Sequence, residues 1–211
     1  MELREYNYAT EFQRKMLIDF LGINKEHYRG KTEDLNKLKY EYQIQQMKKI
    51  AEPVFDMLKI NISNIPMKIS NARDFEANYV GNKRFKNSLA STTWKGSLKN
   101  VVIVFREGLD AYNALFISLP HEVSHVVNRH GISQFYGIFS GTIHEAVAYK
   151  GTEEFINAMN IFYNLIVNER RNKYFIQDIK QIINGDVEHG LGSILSNVPF
   201  HTIVRKEYIK I

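Results

Sequence analysis

The sequence predicts a mixed α+β fold in which helices surround a small, mostly antiparallel sheet. Apolar residues recur every three to four positions over residues 1–60 and again after residue 108, a spacing typical of amphipathic helices. Between them lie short stretches rich in β-branched and aromatic residues, which favour strands. The chain has 211 residues, of which 44% are hydrophobic, so it can bury one core.

Two helices are predicted in the first 60 residues. The apolar face of the first is formed by residues at helix spacing, namely Phe12, Met16, Leu17 and Phe20. A break follows from Gly22 to Thr32, and a second helix is expected from about Thr32 to Leu58. Proline lacks a backbone N–H and its ring collides with the preceding turn, so Pro53 must kink or interrupt this helix.

Three strands are predicted in the middle of the chain. They are Pro66–Ser70, Leu89–Trp94 and Asn100–Phe105, each bounded by Gly, Asn, Ser or Lys. Residues 94–99 supply a turn between the second and third strands. These two strands are therefore expected to form an antiparallel hairpin.

The remainder of the chain is predicted to be mostly helical. Helices are expected at about Asp110–Asn128 and Thr142–Asn168, with shorter ones up to Asn197. The last residues, Phe200–Ile211, form either an edge strand or a docked tail.

No repeat, low-complexity tract or Pro/Ser-rich linker marks a second domain. We therefore expect a single domain over residues 1–211. It comprises a helical N-terminal extension (1–60), a part with the sheet and the active-site helices (61–155), and a helical C-terminal part (156–211).

Composition narrows the chemistry that is available to the chain. The chain has no cysteine, so any metal must be held by nitrogen and oxygen, and zinc ribbons and cysteine proteases are excluded. The N-terminus has no basic and apolar signal pattern, and no apolar run approaches the roughly 18 residues of a membrane span. We expect a soluble, cytoplasmic protein without a membrane partner. The net charge of +5 permits nucleic-acid binding but does not favour it over simple solubility.

The motif that carries chemistry is H-E-x-x-H, within Pro120–His125. On a helix, positions i and i+4 share one face, so His121 and His125 can bind one metal ion while Glu122 lies beside it as general base. Burying two histidines and a glutamate is costly without a metal or other partners. The same region supplies an apolar stripe that would bury the helix: Leu115, Phe116, Leu119, Val123, Val126 and Val127.

Pro120 disturbs the predicted helix directly before the first histidine. Either Ser118 caps a helix that restarts with Pro120 in its first turn, or one helix continues through a kink. Both arrangements leave His121 and His125 on a shared face.

A catalytic zinc site needs a third protein ligand and an open position for water. The long motif with a third histidine requires glycine at 128 and histidine at 131, whereas this sequence has Asn128 and Gly131, so His130 is displaced by one residue. His144 and Glu145 remain as candidates. Their side chains project about 100° apart on a helix, so only one of them is expected to face the metal.

Glu145 follows His125 by twenty positions, near the start of a predicted helix. In this respect residues 85–155 resemble the gluzincins, the thermolysin-like zinc peptidases, including their compact single-domain members called minigluzincins. The resemblance implies that Zn²⁺ is bound by His121, His125 and Glu145. It also implies a zincin fold with a small twisted sheet and an active-site helix, and an extended peptide or protein substrate bound along the edge strand Leu89–Trp94.

One position departs from the thermolysin-like pattern. Those enzymes carry an aspartate one turn after the glutamate ligand, where it orients a zinc-bound histidine, but this chain has Tyr149. Glu153 or a backbone carbonyl is the expected replacement.

The resemblance also implies a His or Tyr donor that stabilises the tetrahedral oxyanion. His189 is assigned this catalytic role here. Other candidates are Tyr163, Tyr174 and His201.

Two other functions compete with a peptidase. The first is a zincin-like binding module without turnover, although a structural zinc gives no reason for a glutamate between the two histidines. The second is a protease of the SprT-like kind that acts on DNA-bound proteins, which would require His144 as the third ligand. The basic clusters that would contact nucleic acid are Lys83, Arg84 and Lys86, and Arg170, Arg171 and Lys173.

Overall fold

The computed structural model describes residues 8–22, 40–77, 89–94, 101–132 and 140–165. Within these ranges the chain forms five α-helices, three strands and one π-helical segment. In chain order the elements are α1 (Glu11–Leu21), α2 (Tyr40–Met57), β1 (Met67–Ser70), α3 (Ala72–Phe75), β2 (Ala90–Trp94), β3 (Val101–Arg106), the π-helical segment (Asn113–Ser118), α4 (Leu119–Ile132) and α5 (Ser140–Tyr163). The predicted mixed α+β class is confirmed.

The three strands form one sheet in the order β1-β3-β2. The antiparallel pairing predicted for the second and third strands is confirmed, because β2 pairs antiparallel with β3 and Thr92 lies opposite Ile103. The turn predicted between them falls mainly outside the described residues. β1 pairs parallel with β3, with Met67 opposite Ile103. Within the described residues the sheet is therefore mixed, with one antiparallel and one parallel pairing, where a mostly antiparallel sheet was expected. Local sequence patterns identify strands but not the direction in which distant strands pair.

The first predicted helix corresponds to α1. Its N-terminus is fixed by a capping box, in which the Thr10 side chain accepts a bond from the Gln13 N–H and the Gln13 side chain accepts one from the Thr10 N–H. Gly22 ends the helix in the left-handed conformation, with φ at 64°, which glycine adopts without strain.

The second predicted helix is confirmed over residues 40–57 as α2. It continues through Pro53 without interruption, although proline cannot donate the hydrogen bond to the carbonyl of Lys49. Its core-facing residues recur at helix spacing: Ile44, Met47, Ile50, Ala51, Val54 and Phe55.

The π-helical segment leads directly into α4, and Leu119 at the junction keeps a right-handed helical backbone. The N–H of Leu119 bonds to the carbonyl of Ala114, five residues back rather than four. This wide turn lies immediately before Pro120, whose ring would collide with the carbonyl four residues earlier in a regular α-helix. The helix therefore continues by a change of register, and the Ser118 side chain is buried rather than acting as the cap of a new helix.

One hydrophobic core joins the N-terminal helices to the helices that carry the motif. It includes Leu17 of α1, Phe55 of α2, Val123 of α4 and Phe155 of α5. The rings of Phe55 and Phe155 pack with their centroids 4.5 Å apart. Most of the predicted stripe on α4 is buried as expected, but Val127 is 40% exposed.

Within the described ranges, no helix is long and apolar enough to cross a membrane. The helices predicted after residue 165 and the C-terminal segment Phe200–Ile211 lie outside these ranges.

Candidate metal centre

The two histidines of the motif project from one face of α4, as their spacing requires. The Nε2 atoms of His121 and His125 lie 3.2 Å apart. The two rings meet edge to face, with an interplanar angle of 85°. Both imidazoles are thus oriented toward the same point.

Glu145 reaches this point from α5. Its Oε2 lies 3.2 Å from Nε2 of His121, and its Oε1 lies 3.4 Å from Nε2 of His125. The three side chains are 15%, 12% and 13% exposed for His121, His125 and Glu145 respectively, so they are mostly withdrawn from solvent. We refer to these three residues as the His–His–Glu group.

The separations within the His–His–Glu group match those of metal ligands. Ligand atoms about 2.0–2.2 Å from a tetrahedral ion are about 3.3–3.6 Å from one another. The two Nε2 atoms are 3.2 Å apart, and each lies 3.2 or 3.4 Å from a different oxygen of the Glu145 carboxylate, which is close to this value. With one ligand atom taken from each residue, the three atoms lie within 4.8 Å of one another. The group could therefore hold a metal ion through two nitrogens and one carboxylate.

The charge state of Glu145 suits this role. Burial would raise the pKa of its carboxyl, but the hydrogen bonds and positive charge of His121 and His125 outweigh burial and hold that pKa well below its usual range. Glu145 is therefore a carboxylate at neutral pH and brings a negative charge to the group.

Helices α4 and α5 approach closely beside the His–His–Glu group. A Cβ atom added at Gly151 would lie 1.9 Å from Oγ and 2.9 Å from Cβ of Ser124. Ser124 is buried, and its hydroxyl donates to the carbonyl of Pro120 at 2.7 Å. The missing side chain at Gly151 thus allows α5 to carry Glu145 within reach of the two imidazoles.

The glutamate between the two histidines is held by the sheet. The Thr92 hydroxyl on β2 lies 2.6 Å from Glu122 Oε2, to which it donates, and 3.3 Å from the Glu122 backbone carbonyl. Glu122 is only 7% exposed. A carboxylate directly after a histidine that could hold a metal ion is a candidate proton acceptor.

His144, the rival third ligand, lies beside the His–His–Glu group but is not part of it. Its ring centroid is 6.1 Å from that of His125. Burial and the neighbouring His125 lower the pKa of His144 to about 4, although Glu145 acts in the opposite direction. The structure therefore places the Glu145 carboxylate, rather than the His144 ring, against the two imidazoles.

Tyr149 packs its ring edge to face against His121, with centroids 5.0 Å apart. Tyr149 stands at the position where the thermolysin-like pattern has an aspartate. Glu153 forms an ion pair with Lys150 at 2.9 Å. Orientation of a zinc histidine by Glu153 remains a prediction.

Several predicted site residues lie outside the described residues. These are His189, Tyr174, His201 and both basic clusters. Tyr163 is described, and its hydroxyl donates to the carbonyl of Ile50 at 2.8 Å. This bond joins α5 to α2 and directs the Tyr163 hydroxyl to the backbone rather than to a substrate.

Sequence reasoning did not identify Thr92, Ser124 or Gly151 as parts of the site. Thr92 was predicted only as a member of the strand Leu89–Trp94, to which the resemblance assigns substrate binding, and it is 30 residues away from Glu122 in the chain. Ser124 lies inside the motif and Gly151 lies six residues after Glu145, but only the packing of α4 on α5 brings them together.

No protein-family model matches the chain, and neither curated proteins nor solved structures give a match.

Proposed function

We propose that the protein is a zinc-dependent peptidase of the gluzincin type, with a zincin-like fold. The observation that carries the proposal is the convergence of His121, His125 and Glu145, with a buried Glu122 directly after His121 on α4. The mixed sheet and the helices α4 and α5 support the zincin-like fold, since they supply a sheet, a motif helix and a glutamate-bearing helix.

Zinc is the metal that this set of donors favours. Two imidazoles and one carboxylate are the three protein ligands of thermolysin-type catalytic sites, which leave a fourth position for water or substrate. A structural zinc site would be closed by a fourth protein ligand, and within the described residues the group has three. The group therefore favours a catalytic site over a structural one.

His121 and His125 would hold the zinc through Nε2, and Glu145 through its carboxylate. When bound, zinc supplies Lewis acidity that makes water a better nucleophile and polarises a peptide carbonyl. Glu122 would accept the proton of the attacking water and pass it to the leaving amine, which breaks the peptide bond. The negative charge of Glu145 would offset part of the positive charge of the zinc ion. Protonated groups near the ion would then be repelled less strongly.

An extended substrate is proposed to bind along β2. Within the part of the sheet that the structure describes, β2 pairs only with β3 and is an edge strand, so its outer backbone groups face away from the sheet. A peptide can add to such an edge by backbone hydrogen bonds. Thr92 on this strand contacts Glu122, which would place the substrate next to the general base.

A cavity of about 430 Å³ adjoins the start of β2, where it is lined by Leu89, Arg106 and Asp110 among others. Leu89 precedes Thr92 by three residues, or about 10 Å of extended strand. A peptide paired with β2 would thus reach the cavity a few residues from the bond that is cut. We propose that this cavity accepts one side chain of the substrate.

The proposal is tested by peptide cleavage. A peptide library is incubated with the unmodified chain and with Glu122→Gln, both loaded with zinc to the same measured content. We expect cleavage by the unmodified chain, and a loss of at least about a hundredfold in Glu122→Gln because general-base catalysis contributes about 10²–10⁴-fold. Equal cleavage by both proteins would rule out Glu122 as the base. Zinc binding without cleavage of any peptide or protein tested would favour a binding module.

A further inference from the structure

The contact between Thr92 and Glu122 joins two separate layers of the fold. Thr92 belongs to the outer strand β2, and Glu122 belongs to α4. One threonine hydroxyl lies within hydrogen-bond distance of both the carboxylate and the backbone carbonyl of the same glutamate, at 2.6 and 3.3 Å. The shorter contact joins the hydroxyl to the carboxylate. Such a bond is charge-assisted when the acceptor is ionised, and it is then stronger than a hydrogen bond between neutral groups.

We propose that Thr92 is a positioning residue that fixes the Glu122 carboxylate for proton transfer and couples its orientation to the strand on which the substrate lies. This inference rests on the proposed peptidase function. Thr92 would act through Glu122 and does not itself need to touch the reacting atoms.

The sheet makes Thr92 a rigid support. Its backbone is held opposite Ile103 by the antiparallel pairing of β2 and β3, and Ile103 is fully buried. Threonine is branched at Cβ, which restricts rotation about χ1. A hydroxyl mounted in this way can hold a carboxylate in one orientation at low entropic cost, because few rotamers are lost when the bond forms.

The side chain and the backbone of Thr92 have different roles. Its side chain stands on the face of the sheet that meets α4, since it contacts Glu122, whereas its backbone lies in the plane of the sheet along the proposed substrate edge. If a bound substrate strand shifted β2, the Thr92 hydroxyl that donates to Glu122 would therefore shift with it. Removing the hydroxyl should impair proton transfer without removing the backbone groups that bind the substrate.

The test compares Thr92→Val, which removes the hydroxyl at nearly constant shape, with Thr92→Ser, which keeps it. Thr152→Val is the control, because the Thr152 hydroxyl is buried but donates within its own helix to the carbonyl of Ala148. All proteins are brought to equal zinc content. We expect kcat of Thr92→Val to fall about tenfold with KM within about twofold, because small misplacements of catalytic groups cost up to about a hundredfold.

Thr92→Ser is expected to keep most of kcat, and Thr152→Val to keep all of it. An unchanged kcat in Thr92→Val would overturn the proposal. So would an equal loss in Thr92→Ser, since that variant retains the donor.

A second measurement does not depend on turnover. Crystal structures of the three proteins with valine, serine and threonine at position 92 report the position of the Glu122 carboxylate directly. One ordered position with threonine and serine, but several or a displaced one with valine, supports the positioning role. An identical ordered carboxylate in all three overturns it. If the unmodified chain cleaves nothing, the peptidase function fails while these structures still decide the role of Thr92.

Discussion

Gly151 on α5 packs directly against Ser124 on α4, the two helices that carry the His–His–Glu group. The space that a Cβ atom would occupy at Gly151 lies 1.9 Å from Ser124 Oγ, well inside van der Waals contact. Ser124 directly precedes His125, and Gly151 follows Glu145 by six residues on the same helix. The distance between the helices, and with it the spacing within the His–His–Glu group, therefore depends on glycine at position 151.

Gly151→Ala is expected to weaken metal binding. The new methyl group must push α5 away from α4, and such overpacking costs about 1–3 kcal/mol. This outweighs the gain of about 1 kcal/mol that alanine brings to a helix. We expect zinc affinity, measured by competition with a chromophoric chelator, to fall at least about tenfold, equivalent to about 1.4 kcal/mol.

The double variant Ser124→Gly with Gly151→Ala is the control for this experiment. It removes both Ser124 atoms that the new methyl group would meet, so zinc affinity should return toward that of the unmodified chain. Unchanged affinity in Gly151→Ala alone would show that the helix separation does not set the metal site.

The sequence was informative where function depends on local spacing. The separation of four between His121 and His125 was enough to place both imidazoles on one helix face. Spacing alone did not identify Glu145 as the third ligand, because His144 fitted the residue pattern as well. Only the resemblance to gluzincins distinguished the two residues. The pairing of β2 with β3 was also predictable, since the two strands are close neighbours in the sequence.

Contacts between distant segments were not predictable from the sequence. The bond from Thr92 to Glu122 and the parallel pairing of β1 with β3 arise from packing rather than from local propensity. Pro120 indicated a disturbance in the helix, but the π-helical turn that accommodates it depends on how the segment Asn113–Ser118 is buried.

Tyr163→Phe is expected to destabilise the fold without changing the metal site. The substitution removes the buried hydrogen bond to Ile50 and leaves that carbonyl without this donor. We expect a loss of about 1–2 kcal/mol in the free energy of unfolding, measured by urea denaturation without metal. Tyr42→Phe, at a position that is 52% exposed, should change stability by less than about 0.5 kcal/mol. A fall in zinc affinity in Tyr163→Phe would contradict a purely structural role.

Gln43→Met is expected to stabilise the protein. The Gln43 side chain is 2% exposed, and within the described residues no group forms a hydrogen bond with its amide nitrogen or oxygen. Burying an unsatisfied amide costs about 1–3 kcal/mol, and methionine has a similar length without that cost. The midpoint of urea denaturation should rise, whereas Gln45→Met at an exposed position should leave it nearly unchanged. A lower midpoint in Gln43→Met would show that the amide is needed.

Zinc affinity is expected to decrease on acidification through the histidines rather than through Glu145. Burial raises the pKa of Glu145, but the hydrogen bonds from His121 and His125 lower it by more. The net result is a pKa well below the usual range. A carboxyl with a lowered pKa stays ionised as the pH falls from 7 to 5, so only imidazoles take up protons that compete with zinc. Zinc affinity should therefore fall steadily on acidification, because both imidazoles must be free of protons to bind the ion. Affinity that stays constant down to about pH 4.5 would contradict this ligand set.

The most direct test of the account is the zinc content of natively purified protein, measured by native mass spectrometry after reconstitution. The unmodified chain and His144→Ala should each bind one zinc ion per chain. His121→Ala and Glu145→Gln should lose it, because each removes one of three donors whose ligand atoms lie within 4.8 Å of one another. The account would be contradicted if the unmodified chain bound no zinc, or if zinc were lost with His144→Ala and retained with Glu145→Gln.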